Sequence, residues 1–245
     1  MKLTIQAASV HNATLTVAGN VINNGSKDFV FDFDSGEHFY FAVGNGDGAH
    51  KGQSTTEAAL EHIRDSFTMG DIAADAESMY QQLTYLHREF NGLYPHLKEN
   101  EHAGVSMCGA YGAEDSLLTF NAGGGAVFLF RDFTLMPLSD ATYPLGYNEE
   151  EPGMDVWTVE EPLKQDDVIL ICSEGVMDLL DSETIEEVMS YSKYPAAHLI
   201  DEATADGVEI PLAIIAIKVG EGDFIPDMID EEDLPDDTGA YDAWS

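Results

Sequence analysis

The chain has 245 residues, with 10 Lys or Arg against 46 Asp or Glu, and its formal net charge at pH 7 is −36. This length suits one large domain, and a hydrophobic content of 44% excludes wholesale disorder. The charge excludes a surface built to bind nucleic acid or an anionic membrane, because both would repel it.

Part of the acidity lies at the C-terminal end, where residues 221–245 contain ten acidic side chains and no basic residue follows Lys218. This composition predicts a single domain at 1–220 followed by an acidic, disordered tail at 221–245. The domain itself is also strongly acidic. Two interpretations stay open: a highly soluble, salt-tolerant surface, or a decoy that docks a basic partner.

The two cysteines, Cys108 and Cys172, lie far apart within apolar runs and match no metal-binding spacing. We expect buried thiols in a reducing compartment. The first residues lack the apolar run of a signal peptide, and no stretch approaches the 18 apolar residues of a membrane span. The sequence therefore predicts a cytoplasmic protein without a membrane segment.

The predicted elements begin with strands. Aromatic and β-branched runs at 29–33 and 38–43 are separated by Asp34-Ser35-Gly36, which is typical of a hairpin. The glycine-rich stretch at 44–48 is expected to end the second of these strands.

Two helices follow. Ser54 and Glu57 form a capping box, which predicts the start of the first helix, and Gly70 is expected to end it. A stripe at helical spacing predicts the second helix: Ile72, Ala76, Met79, Leu83, Leu86 and Phe90. The short connection favours an antiparallel pair whose apolar face packs on a sheet.

The second half returns to strands and short helices. Strands are predicted at 116–121, 126–131, 167–172 and 211–219. Helices are predicted at 176–180, 184–191 and 196–203, the last opened by Pro195.

Several acidic residues lie where predicted strands end, and these are candidate metal ligands. Hard divalent cations prefer oxygen ligands, and a two-metal hydrolase holds its ions roughly 3.5–4 Å apart, which requires several converging carboxylates. The candidates are Asp28, Asp47, Glu174 and Glu209.

The order of these segments resembles the PP2C (PPM) family of metal-dependent Ser/Thr phosphatases. The matching stretches are 41–50 with the family's "FAVADGMGGH", 104–106 with "GTT", 123–132 with "GDSRAYLLRD", 168–175 with "LLLCSDG", and 210–219 with "DNVTVVVV". The resemblance covers about residues 1–220. It implies an α+β fold, a β-sandwich of two antiparallel sheets flanked by antiparallel helix pairs, with the metal site at one end of the sandwich.

The same resemblance places neutral residues at most positions that carry chemistry in the family. The metal-bridging Asp falls on Asn45, and the Gly whose carbonyl is a ligand is retained as Gly46. The Asp of "SDG" becomes Glu174, and Asp28 is aligned with an acid near the start. Other family positions are occupied here by Gly124, Ala126, Ile210 and Pro211.

We therefore expect a PP2C-like pseudophosphatase that acts as a binding or regulatory domain, with no cofactor. We expect its partner to be a protein, either a phosphoprotein or a kinase-linked signalling component. The alternative is an active Mn²⁺- or Mg²⁺-dependent phosphoserine/phosphothreonine phosphatase with Asp28, Asp47 and Glu174 as the catalytic acids. Its metal ligands would come from Asp28, Asn45, Gly46, Asp47 and Glu174. An acidic decoy for a basic partner is the third interpretation.

Overall fold

The computed structural model describes residues 3–11, 14–17, 28–34, 38–46, 51–68, 73–93, 104–113, 116–146, 156–205, 207, 212–220 and 224. The strands are β1 Leu3–His11, β2 Thr14–Val17, β3 Asp28–Asp34, β4 His38–Gly46, β5 Val105–Ala113, β6 Ser116–Ala122, β7 Ala126–Arg131, β8 Thr134–Pro137, β9 Trp157–Pro162, β10 Val168–Cys172 and β11 Leu212–Val219. The helices are α1 Lys51–Thr68, α2 Ala76–Leu93, α3 Glu174–Leu179, α4 Ser182–Tyr191 and α5 Pro195–Thr204.

The strands form two antiparallel sheets. One has the order β2-β1-β11-β10-β7-β8, and the other has the order β3-β4-β5-β6-β9. Alternate side chains along each inner strand point between the sheets and form a shared core, as in β4, where Phe39, Phe41 and Val43 face this layer. The predicted α+β sandwich is confirmed.

Helices cover both outer faces of the sandwich. The stripe of α2 (Met79, Leu83, Leu86 and Phe90) is buried with Leu60 and Ile63 of α1 against the five-stranded sheet. Helices α3, α4 and α5 pack on the other sheet. Because the central strands are covered on both sides, β10 is buried at every position, which explains its nearly continuous apolar sequence.

The glycine-rich stretch does not end β4 where the sequence predicted. The ladder continues with Gly44 opposite Met107, Asn45 opposite Ser106 and Gly46 opposite Val105. A Cβ at position 44 would lie 2.7 Å from Cγ2 of Thr56 on α1. Gly44 therefore allows the helix to approach the strand closely, and its absence of a side chain is a packing requirement rather than a strand-ending signal.

The first helix begins at Lys51, so the predicted start at Ser54 is wrong by almost one turn. Ser54 and Glu57 lie inside α1, so this sequence pattern does not mark the start of the helix. Gly70 and Ile72 lie outside the described residues.

Three edge strands were not predicted, β2, β8 and β9. The β7–β8 hairpin turns at Asp132 and Phe133, which both have positive φ (52° and 61°), between the paired residues Arg131 and Thr134. Such a two-residue turn normally carries Asn or Gly, so its sequence gave no signal.

At the C-terminal end, Phe224 is 5% exposed and packs in the same apolar cluster as α3, α4 and α5. The packed part of the chain therefore reaches beyond the predicted boundary at 220. The other residues of the predicted tail lie outside the described residues. None of the helices in the described part of the chain combines the length and apolar character that crossing a bilayer requires.

Candidate functional site

A small cleft lies where the two sheets meet at one end of the sandwich. The ends of β4 and β5 contribute Asn45 and Ser106 from the five-stranded sheet, and the start of α3 contributes Glu174 from the other. Apolar walls are formed by Val43, Met107 and Cys108.

Asn45 is placed by two strand pairings. It lies opposite Asp28 of β3 on one side and opposite Ser106 of β5 on the other. Its Oδ1 is buried, and no hydrogen-bond donor reaches it from the described residues. A buried amide oxygen without a donor is uncommon in folded proteins, and at a cleft it marks a place where a donor can bind.

Glu174 is positioned by the junction between β10 and α3. Ser173 is tied to β11 by two hydrogen bonds: its backbone N–H donates to the carbonyl of Ala213 at 2.9 Å, and its Oγ accepts from the N–H of Ala213 at 3.0 Å. The carboxylate of Glu174 then reaches across the cleft, where its Oε2 accepts a hydrogen bond from Ser106 Oγ at 2.7 Å. The acid is therefore held by the opposite sheet.

Gly124 leaves the space that Glu174 occupies. A Cβ built at position 124 would lie 2.6 Å from Cγ, 2.7 Å from Cδ and 2.8 Å from Oε1 of Glu174. The N–H of Gly124 also donates to Ser106 Oγ at 3.2 Å. The longer side chain at 174 and the missing side chain at 124 are thus sterically matched.

The glycine loop beside the cleft is held by Asn121, which is fully buried. Its Nδ2 donates to the carbonyls of Gly125 at 2.7 Å and Asp140 at 2.8 Å, while the N–H of Gly123 donates to Thr142 Oγ1 at 2.8 Å. These bonds fix the loop without a bound ligand.

Sequence reasoning did not identify Ser106 or Asn121 as site residues. Both are polar side chains within almost wholly buried strands, at 8% and 0% exposed. A polar residue in such a strand must find a hydrogen-bond partner, and that is the signal that points to them.

The structure brings Asn45 and Glu174 to the same cleft, and the register of β3 and β4 places Asp28 opposite Asn45. Gly46 ends β4, opposite Val105. Asp47, Glu209 and Ile210 lie outside the described residues. The assignment of these residues as metal ligands stays a prediction.

The donor set of the described side chains does not fit a pair of dications. Within that part of the chain, no group of three or more His, Cys, Asp or Glu side chains is placed to hold a metal ion. Glu174 is the one carboxylate among the described side chains that line the cleft, and two adjacent dications need several anions to offset their repulsion.

The two cysteines provide no reactive thiol that could replace a metal centre. Cys108 and Cys172 are free and buried, as predicted, and Cys108 Sγ donates to the carbonyl of Cys172 at 3.2 Å. Burial raises the pKa of the Cys172 thiol well above its usual range, so it remains protonated at neutral pH.

No protein-family model and no curated protein sequence matches the chain. Solved structures do match it. The serine/threonine phosphatase PstP/Ppp of Mycobacterium tuberculosis has a TM-score of 0.65 and 17% identity, over 89% of this chain and 99% of that chain. The solved structure of the S. agalactiae serine/threonine phosphatase has a TM-score of 0.69 and 13% identity, over 89% of this chain and 100% of that chain.

A third similar structure is PppA, described as a key regulatory component of T6SS in Pseudomonas aeruginosa, with a TM-score of 0.66 and 13% identity over 88% and 98%. The catalytic domain of PstP has also been solved in complex with two manganese ions. These likenesses show that the chain has the fold of the PP2C (PPM) Ser/Thr phosphatases, as its sequence motifs implied.

Proposed function

We propose that this protein is a PP2C-like pseudophosphatase, a binding or regulatory domain built on the phosphatase fold. The observation that carries the proposal is the fit between Gly124 and Glu174. In the family alignment both positions carry Asp. Here one side chain is absent, and the other fills its space and is held by Ser106 at 2.7 Å. The carboxylate thus serves a protein-internal hydrogen bond.

The neutral residue at the bridging position supports the same conclusion. Asn45 aligns with the carboxylate that bridges the two metals in the family. An amide oxygen carries no full charge, so it offsets little of the repulsion between two dications and does not help to acidify a water between them. Without that bridge, a metal-bound hydroxide at neutral pH is not expected.

One observation favours the second candidate, an active Mn²⁺- or Mg²⁺-dependent phosphatase acting on phosphoserine or phosphothreonine. The β3–β4 register sets Asp28 directly opposite Asn45 at this end of the sandwich. An acid set of Asp28, Asp47 and Glu174 would then replace the family's own. This candidate requires Glu174 to exchange its bond to Ser106 for a metal ion.

The deciding experiment measures hydrolysis of p-nitrophenyl phosphate with added Mn²⁺ or Mg²⁺, together with calorimetric titration of Mn²⁺ into the full chain. A pseudophosphatase shows neither turnover nor binding of Mn²⁺ in the titration. The active alternative shows turnover that Glu174→Ala abolishes and that Glu187→Ala, at an exposed acid on α4, leaves unchanged.

As a regulatory domain, the protein would act on a protein partner, either a phosphoprotein or a kinase-linked signalling component. The free buried thiols are consistent with a reducing compartment such as the cytoplasm. The net charge of −36 is also consistent with an acidic decoy for a basic partner. A decoy would bind basic proteins with an affinity that falls steeply as salt is added. Truncation of the residues after 224 would then weaken this binding.

A further inference from the structure

We propose that the cleft holds one internal water molecule beside Asn45, the residue that aligns with the family's metal-bridging Asp. This inference rests on the proposed function, because it assigns the occupant of a site that a pair of dications does not fit. It follows from the size of the cleft, from the unpartnered oxygen of Asn45 and from the hydroxyl group of Ser173.

The size of the cleft limits the occupant to one very small molecule. The centre of a water molecule can move within only about 10 Å³ there, which is about the space that one buried water requires. The walls formed by Val43, Met107 and Cys108 are 1–2% exposed, so these side chains belong to the core and open no path for a longer ligand. A phosphate group or a partner's side chain is therefore too large.

Asn45 supplies an acceptor that needs a donor. Its Oδ1 is buried, and the described residues provide no donor to it. A buried polar atom without a hydrogen bond destabilises the folded state, and internal waters commonly satisfy such atoms. A water in the cleft donates one of its O–H groups to this oxygen.

Ser173 supplies the complementary donor. Its side chain lines the same cleft, and the residue is 3% exposed. Its Oγ accepts the N–H of Ala213 at 3.0 Å, while its own proton has no acceptor among the described residues. Because a serine hydroxyl donates as well as accepts, Ser173 can donate this proton to the oxygen of the water.

Glu174 completes the set of partners. Ser106 donates to its Oε2 at 2.7 Å, and no donor from the described residues engages Oε1. The carboxylate therefore accepts the second O–H group of the water. The water then makes three hydrogen bonds, which is the typical number for a buried water in a protein.

This mixture of donor and acceptors distinguishes water from an ion. A cation binds the oxygens of Asn45 and Glu174 but gives the proton of Ser173 no acceptor. An anion accepts that proton but adds a second negative charge beside Glu174. Water both donates and accepts, so it satisfies all three side chains. The cleft is thus closed as an ion site, and a partner has to bind elsewhere on the surface.

The test is a crystal structure of the full chain, at a resolution that shows ordered waters, from crystals grown with and without Mn²⁺. We expect one density peak in both, at about 2.7–3.2 Å from Asn45 Oδ1, Ser173 Oγ and an oxygen of Glu174, without anomalous signal from manganese. A cleft without density, a peak out of reach of Asn45, or contacts at metal–oxygen distances of about 2.0–2.6 Å would each overturn the proposal.

Two variants connect the water to its partners. Asn45→Leu keeps the number and branching of the side-chain heavy atoms but removes the acceptor, and Ser173→Ala removes the donor. Each should lose the water. Because the two side chains share one water, Ser173→Ala should lower the melting temperature less in the Asn45→Leu background than in the wild type.

Ser139→Ala is the matched control. Ser139 is also buried, and its Oγ likewise accepts a backbone N–H, that of Val127 at 2.9 Å, but it does not line the cleft. Its melting-temperature shift should be the same in both backgrounds. An equal shift for Ser173→Ala in the two backgrounds would show that no shared water couples Ser173 to Asn45, and the inference would be wrong.

The inference and the proposed function can fail separately. Density for the water together with turnover of p-nitrophenyl phosphate would reject the pseudophosphatase function and leave the water in place. A cleft without density, in a protein that neither turns over substrate nor binds Mn²⁺, would reject the inference alone.

Discussion

Ser106 Oγ and Glu174 Oε2 lie 2.7 Å apart and join the two sheets across the mouth of the cleft. Ser106 belongs to β5 of the five-stranded sheet, and Glu174 opens the helix that follows β10 of the other. The same hydroxyl accepts the N–H of Gly124 from a third segment. One buried side chain thus links three parts of the chain that are remote in sequence.

Replacing Ser106 by alanine should therefore destabilise the fold. It removes the donor to a carboxylate and leaves the N–H of Gly124 without its acceptor, for an expected loss of about 1–3 kcal/mol in the free energy of unfolding. Urea denaturation measures the loss. Ser190→Ala is the matched control, because Ser190 Oγ donates only to the carbonyl of Glu186 within its own helix. Equal losses for both variants would mean that the link between the sheets contributes nothing.

The fit between Gly124 and Glu174 makes a second prediction. Gly124→Ala should cost about 1–3 kcal/mol, because the new methyl group displaces the Glu174 side chain and breaks its charge-assisted bond to Ser106. In the Glu174→Ala background the overlap is gone, and the same substitution should cost much less. Denaturation of the four chains of this double-mutant cycle measures the coupling.

Gly207→Ala is the control for that cycle. Gly207 has a φ of +73° with no atom close enough to clash, so its substitution is strained by backbone conformation alone. Its cost should be the same with Glu174 or Ala at position 174. A Gly124→Ala cost that is likewise unchanged would contradict the steric coupling.

Local patterns predicted most of the fold. The strands that are covered on both faces, such as β10, have continuous apolar sequences, and the stripe of α2 has regular helical spacing. Edge strand β9 was missed because its strand-forming residues, Trp157–Val159, are followed at once by two glutamates and a proline, and its position depends on pairing with β6.

The candidate site was predicted only in part, for a related reason. Alignment with the family motifs placed Asn45 and Glu174 at one site, and the structure brings both to one cleft. It gave no indication of the bond between Ser106 and Glu174, which are separated by 68 positions along the chain. Such a contact arises from how the two sheets pack, and no local pattern of residue types encodes it.

A third prediction concerns the ion pair between Arg131 and Asp167. Two bonds of 2.7 Å join the guanidinium to both carboxylate oxygens, and Asp167 is almost fully buried. The hydrogen bonds that Arg131 donates to Asp167 are the largest cause that raises the pKa of the guanidinium, so its charge persists at any accessible pH. Asp167 also accepts the N–H of Lys164 at 2.7 Å, which fixes the turn between β9 and β10.

Asp167→Asn should lower the free energy of unfolding by about 1.5–3 kcal/mol, because the amide offers one acceptor oxygen in place of two and leaves Glu161, 3.1 Å away, as the anionic partner of Arg131. The neighbouring Asp166→Asn is the matched control. Asp166 is 66% exposed and lies 3.4 Å from Lys218, so its loss should cost about 0.5 kcal/mol or less. Thermal and urea denaturation of both variants compare the two sites, and similar losses would argue against a special role for the buried pair.

The last prediction is a pH dependence of stability from His87. The ring Nδ1 accepts a hydrogen bond from the N–H of Gly146 at 3.2 Å, which ties α2 to the segment after β8. Burial, and secondarily the charge of Arg88, lower the pKa of His87 below its usual value of 6.5. A lowered pKa means that the unfolded chain binds the proton more readily. The stabilisation that neutral His87 provides is therefore complete above about pH 6.5 and is lost as the pH falls through the folded-state pKa.

Melting temperatures between pH 7.5 and 5 should fall more in the wild type than in His87→Gln. His62→Gln is the control and should keep the wild-type profile, because the contact of His62 Nε2 with Gln82 Oε1 at 2.9 Å joins α1 to α2 and does not involve Gly146. Identical profiles for wild type and His87→Gln would show that the bond to Gly146 is not coupled to this titration.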